Sequence, residues 1–281
     1  MHSPAVELLL ADLPSGWDAA VRYHQLKRAL PQGRPRQLVT ERAVDAVVAR
    51  ARDLVRHAAR PTRTERDHWP HPGDLDLGAT VEALDVGPRD PADGAISWRP
   101  EGVRVARTVP RDADVVAILD MSLSMNGEKI ALIAVAAAIL HLKLDRVSVV
   151  SFDTLANTLV PLGARVDVRE VVRRVLRVPA QGYTHISAGL EEGLEQLSRS
   201  RRKERVGLLL SDGISNVGKD PVHVAQRFPT LHVIQVGRDV PQGRRACTRM
   251  AQAGQGARWH APTYLALPQL VRQVVREVFR G

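Results

Sequence analysis

From Ala113 onward, short apolar runs alternate with longer stretches of helical period. Val115–Leu119, Arg146–Phe152, Val206–Leu210 and Leu231–Val236 are runs of five to seven residues dominated by Val, Ile and Leu. Runs so short and so apolar suit strands buried on both faces. Thr158–Val160 reads as an edge strand. The segments Lys129–Leu142, Val166–Leu176, Ile186–Leu197, Val222–Phe228, Arg244–Ala253 and Leu267–Phe279 read as helices. Strands alternating with helices predict an α/β fold: a doubly wound, mostly parallel sheet flanked by helices. Lys129–Leu142 is apolar nearly all round, which predicts a buried helix. It is too short to span a bilayer, which takes about 20 residues.

The first 112 residues follow other rules. Residues 1–66 read as an N-terminal helical region. Thr40 is placed to cap a helix running to Ala59. Val44, Val47, Val48, Ala51, Leu54, Val55 and Ala58 then form one apolar stripe, with Arg42, Arg50, Arg52 and Arg56 largely outside it. The stripe packs on an earlier helix around Trp17–Leu30 or docks a partner. Residues 67–112 are rich in Pro, Gly and Asp and read as a connector. A short helix over Asp76–Leu84 and a loose strand pair over Ile96–Val109 are expected within it. The expected division is thus 1–66, 67–112 and 113–281.

Composition narrows the function. The single cysteine, Cys247, excludes an internal disulfide and a multi-cysteine zinc site. The opening residues lack a basic start before an apolar core, so a cytoplasmic protein without a membrane span is expected. The net charge is +9. Residues 1–112 hold 17 Lys/Arg against 16 Asp/Glu, which leaves +8 for the rest. That balance favours acidic partners. Few aromatics and no recognised binding motif argue against nucleic acid. The chain has no G-x-x-x-x-G-K-[ST] loop for ATP and no G-x-S-x-G elbow, so no enzyme activity is expected.

The candidate chemistry lies at the expected strand ends. Asp120 closes the first strand and is followed by Ser122 and Ser124. Asp212 follows the strand ending at Leu210. Thr184 lies in a loop after Gly182 and just before a helix. In open α/β sheets, ligands bind outside the carboxyl ends of the strands. Two carboxylates and three hydroxyls there would make an all-oxygen cup for a hard cation, with Mg2+ expected and Mn2+ or Ca2+ as alternatives. Hydroxyls are weak neutral ligands. An ion so held stays electrophilic and seeks a further anionic oxygen, such as an acidic side chain of a partner protein.

This arrangement resembles the von Willebrand factor type A (VWA) domain with its metal-ion-dependent adhesion site (MIDAS), over about residues 113–281. The family's Asp-x-Ser-x-Ser loop is matched by Asp120, Ser122 and Ser124, its threonine by Thr184 and its later aspartate by Asp212. Many members have Gly where Leu123 stands, and Asp or another polar residue where His185 stands. The layout resembles the bacterial CoxE-like group that works with MoxR-type AAA+ ATPases. Further cues are Gly73-Asp74-Leu75-Asp76, Thr80 and a basic approach through Arg104, Arg107 and Arg111. The resemblance implies a non-enzymatic, metal-dependent adaptor that helps an ATPase remodel or metallate a client. Two alternatives are a subunit of a magnesium or cobalt chelatase and a basic polyanion-binding protein.

Other features have plainer readings. His185 reads as a helix-start residue beside the cup. Asp153 is a turn residue or a nearby support. His68 and His71 read as loop residues, Arg199–Lys203 as a solvated basic loop, and Cys247 as packed in a helix.

Overall fold

In the computed structural model, residues 15–56, 62–68, 73–83, 102–110, 113–122, 127–179 and 182–278 are described. The chain forms two units, one of residues 1–59 with 112–275 and one of 60–111 with 276–281.

The larger unit is built on a six-stranded sheet. Its strands are β4 (Ala113–Asp120), β5 (Arg146–Phe152), β6 (Ala156–Val160), β7 (Glu204–Ser211), β8 (Leu231–Val236) and β9 (Gln255–Ala261), in the order β6-β5-β4-β7-β8-β9. All neighbours are parallel except the β5–β6 hairpin at one edge. Every residue of β4 is buried, as expected of a central parallel strand covered on both faces. The expected α/β class is therefore the observed one. β9 escapes the apolar-run rule because it is an edge strand of mixed residues, QGARWHA, with a half-exposed face.

The helices of this unit are α5 (Glu128–Lys143), α6 (Val168–Arg177), α7 (Ile186–Ser198), α8 (Val222–Ala225), α9 (Pro241–Ala253) and α10 (Leu267–Val278). Helix α5 buries eleven consecutive residues, Ile130 to Leu140. It is enclosed because the N-terminal helices cover the side that the sheet does not. These are α1 (Trp17–Val21), α2 (Tyr23–Ala29) and α3 (Arg34–Val55), and α3 packs on both α5 and α6. The α3 stripe of Val44, Val47, Val48, Ala51 and Val55 is buried. It is therefore core of the sheet unit rather than an open docking face. Trp17 Nε1 donates to Glu128 Oε1 at 3.3 Å, and Arg50 lies 4.1 Å from the Trp17 ring centre.

Thr40 is not a cap. Helix α3 begins six residues earlier, after Gly33, with Pro35 in its first turn. Proline lacks an N–H that the first turn would leave unsatisfied anyway, so it starts helices well. Thr40 Oγ1 instead donates back to the Arg36 carbonyl at 2.8 Å. Charge adds to the α3–α6 contact: Arg169 and Arg173 of α6 each lie 2.9 Å from a Glu41 carboxylate oxygen, and Arg169 also pairs with Asp45.

The smaller unit holds β1 (Thr62–His68), β2 (Asp74–Leu75), α4 (Leu77–Ala83) and β3 (Arg104–Pro110), with β3 central and antiparallel to both neighbours. The end of the expected helical region, residues 62–66, is thus strand. Its residues TRTERDH are polar throughout, so no apolar period marks it. Residues 104–109 of the expected 96–109 strand pair fall in one strand, β3, and residues 96–101 lie outside the described residues.

Candidate metal centre

The cup lies at the carboxyl edge of the sheet's two middle strands. Asp120 ends β4, and Ser211 ends the neighbouring β7. Met121 N donates to the Phe152 carbonyl at 2.8 Å, so pairing with β5 continues one residue past Asp120. Asp120 is 3 % exposed and its carboxylate is doubly held. Oδ1 accepts from Ser122 N at 3.1 Å, and Oδ2 accepts from Ser211 Oγ at 2.7 Å. Ser211 Oγ itself accepts from Gly213 N at 3.1 Å. The β7 strand end and the turn after it are thereby tied to the first acid.

Asp212 begins that turn. Its Oδ1 accepts from Ile214 N at 2.9 Å, an Asx-type closure. Gly213 has φ of +82°, and a Cβ there would stand 2.5 Å from both Cys247 Sγ and the Gly243 carbonyl oxygen. Only glycine fits, in conformation and in space. Thr184 is buried in the third loop. Its carbonyl accepts from Asn216 N at 2.9 Å and Ser215 Oγ at 3.2 Å, so it is fastened to the Asp212 turn. On its other side, His185 N donates to the Asp153 carbonyl at 2.9 Å, and Tyr183 N donates to Thr154 Oγ1 at 2.8 Å. Gly182, at φ +85°, packs so closely on that loop that a Cβ would meet Thr154 Oγ1 at 2.6 Å. The structure thus joins the loops carrying Asp120, Ser122, Thr184 and Asp212. Ser124 lies outside the described residues.

The electrostatics are those of a buried acid pair with one cation, Lys129, acting on Asp212. Burial pushes Asp120 up to about 6, Ser211's hydrogen bond opposes this, and the nearby Asp212 charge adds to it. Asp212 is also raised by burial, against the Ile214 N–H and the positive charge of Lys129. Burial, and then the charges of Asp212 and Asp120, push the Cys247 thiol up to about 12. Tyr264 is raised in the same way, by burial first and then by both acids. Lys129 Nζ lies 5.1 Å from the Tyr264 ring centre. Among the described residues, no group of three or more His, Cys, Asp or Glu is gathered into a metal site. A cation here would rest on hydroxyls as much as on carboxylates. Two desolvated acids, one hydrogen-bonded by buried Ser122, with buried Thr184 on the loop fastened to the Asp212 turn, fit a hard dication, which would remove the cost of their charges.

Several side chains take roles that their sequence positions left open. Asp153 is a turn residue: its Oδ1 accepts from Leu155 N at 3.0 Å, while its carbonyl holds the Thr184 loop. His185 Nδ1 lies 3.2 Å from the Thr154 carbonyl, so its ring clamps two loops together. Cys247 is fully buried in α9. In the basic loop, Arg202 turns inward to the buried Asp114, which Arg146 also pairs at 2.7 Å. Sequence reasoning missed Ser211, Ser215, Asn216, Lys129 and Tyr264 as neighbours of the cup. For Ser211, Ser215 and Asn216 the available signal was their closeness to Asp212-Gly213 in the chain; Lys129 and Tyr264 carried none.

The description "VWA domain containing CoxE-like protein" matches residues 46–226, more than half the chain. The chain belongs to this CoxE-like VWA family. None of the curated proteins matches it in sequence. Among solved structures, this VWA protein is similar in fold to BatB from Bacteroides thetaiotaomicron (16 % identity, 59 % of this chain and 98 % of that one, TM-score 0.50). It is also similar to the vWF domain of the pilus tip protein Mfa5 from Porphyromonas gingivalis (14 %, 60 % and 96 %, 0.51). A third is proximal thread matrix protein 1 of the mussel byssus, described with a zinc-occupied MIDAS motif (21 %, 59 % and 48 %, 0.50). The chain spans about half the length of that mussel protein. Among the described residues, no helix of this VWA protein is long and apolar enough to cross a membrane.

Proposed function

We propose that this chain is a non-enzymatic adaptor that grips an acidic side chain of a partner protein through a divalent cation. Asp120, Ser122, Thr184 and Asp212 would hold the ion, with Ser124 as the third hydroxyl. The observation that carries this reading is the pair of desolvated acids, Asp120 and Asp212, on adjacent strand ends beside two buried hydroxyl residues. A bound dication would supply Lewis acidity toward a carboxylate from outside. Mg2+ suits the all-oxygen donor set, with Mn2+ or Ca2+ as substitutes. The mussel protein described with zinc in its MIDAS motif supports metal binding on this fold.

The chain's own residues do the positioning. Ser211 and the Ser122 N–H fix the Asp120 carboxylate, and the Ile214 N–H fixes that of Asp212. The Thr184 loop is held from both sides by main-chain bonds. CoxE-like membership supports a cytoplasmic setting beside a MoxR-type AAA+ ATPase, in assembly or metal insertion of a client enzyme.

Affinity capture from lysate in Mg2+ and in chelator tests this reading. The wild type should retain an AAA+ ATPase or its client only in Mg2+. Asp120→Ala and Asp212→Ala should lose that capture while keeping their circular dichroism. Equal capture by all three proteins, undiminished by chelator, would reject the metal grip.

A further inference from the structure

Beside the cup lies a cavity of about 150 Å³ that the metal reading does not use. Its apolar lining comes from Met121, Phe152, Leu155, Val178 and Pro179. Met121 stands between Asp120 and Ser122 in sequence, so the cavity is one residue removed from the cup. Extended chain sends successive side chains to opposite sides, which lets the same three residues serve both. Asp153, the charged side chain in this lining, already accepts from Leu155 N. Ser151 and Asn157 add polar atoms to the lining, and a cavity of this volume accommodates a body the size of benzene, and so an aliphatic side chain.

The rim carries a second, independent sign. Leu155 is 70 % exposed and Tyr183 is 63 % exposed. They flank Thr154, whose Oγ1 accepts from Tyr183 N, and so lie on adjoining loops between the cavity and Thr184. Leu155, which lines the cavity, and Tyr183 on the adjoining loop give this edge exposed apolar surface that a partner can cover. The occupant must also suit the neighbouring cup, which calls for a carboxylate.

Resting on the proposed metal grip, we infer that this site reads a short segment of a partner protein in which an acidic residue is flanked by an aliphatic one. The carboxylate meets the cation, and the aliphatic side chain enters the cavity against Leu155, Val178 and Pro179. The metal supplies a generic hold on acids, while the cavity selects which acid.

The test titrates the Mg2+-loaded full chain calorimetrically with two capped pentapeptides, Gly-Leu-Asp-Leu-Gly and Gly-Ser-Asp-Ser-Gly. The leucine peptide should bind about tenfold tighter, as expected for partial burial of one aliphatic side chain. Both should be lost in chelator. Asn157→Trp places a bulky ring at the exposed lip of the cavity on edge strand β6 and should abolish the preference, leaving the serine peptide unchanged. Equal, Mg2+-dependent affinities for the two peptides would overturn the cavity inference and leave the metal grip standing. Leucine-peptide binding that persists in chelator and is lost in Asn157→Trp would keep the cavity and reject the grip. Failure of both peptides to bind a chain shown to take up Mg2+ would overturn both.

Discussion

Asp120 is where folding and the proposed metal grip pull in opposite directions. Its carboxyl is buried, so its folded-state value is raised to about 6 from the ordinary carboxylate range. Without a cation, its ionisation therefore subtracts stability as pH rises through that window. At pH 8 the cost is about 3 kcal/mol. Asp120→Asn should accordingly melt higher than wild type in chelator, and show none of the Mg2+-induced rise in melting temperature expected of wild type. A mutant that melts lower than wild type in chelator would contradict this account. Gly213 makes a purely steric demand. Gly213→Ala would drive a methyl into Cys247 Sγ and the Gly243 carbonyl at a left-handed backbone position. It should cost at least about 2 kcal/mol in urea denaturation. At this scale the sequence was readily legible for the acids, because Asp120 and Asp212 each close an apolar run. The role of Ser211 was not, because a buried serine and a solvated one look alike until the partner strand is known.

At the scale of elements, α3 and α6 meet through an apolar stripe and a ribbon of ion pairs. Glu41 is held below the usual carboxylate range: its burial alone would raise it, but hydrogen bonds and charges from Arg173 and Arg169 outweigh that. Glu170 is lowered through Arg174 and Arg173. A depressed folded-state value means the contribution is present at neutral pH and disappears as pH falls through the acid range. Glu41→Gln should therefore lower stability at pH 7, by no more than about 1 kcal/mol because the pair is half-exposed. The mutant and wild type should converge near pH 3. Equal gaps at both pH values would exclude the ion pairs as the cause. The α3 stripe was visible from its period, but its partner was not. Periodicity shows that a face is buried and says nothing about what buries it. The same limit hid β1 and β9, whose polar or mixed residues form strands only because a neighbouring strand offers hydrogen bonds.

For the whole molecule, the N-terminal helices and the sheet form one unit although about 60 residues separate them in sequence. Amide exchange in α3 should then be limited by the same opening free energy as in α5, and both should rise together when Mg2+ is added. Faster independent exchange of α3 would show it to be an appendage. Val47→Asp, which places a charge at a fully buried α3 position, should expose α5 and cost 3 kcal/mol or more by order of magnitude. The fold class was legible because the alternation of strand and helix is a chain-wide pattern. The attachment of residues 17–55 was not, because contacts so distant in sequence leave no local trace.

Helix α5 has no outward side between Ile130 and Leu140, since sheet, α3 and α6 enclose it. Evolutionary drift there is confined to swaps of nearly equal size, because a change made to suit one neighbour is felt by the other. Lineages of this protein should diverge in the loops at the carboxyl edge of the sheet while carrying this alanine-rich helix almost unaltered. A library randomised across those eleven positions should yield far fewer soluble members than one randomised across residues 153–157.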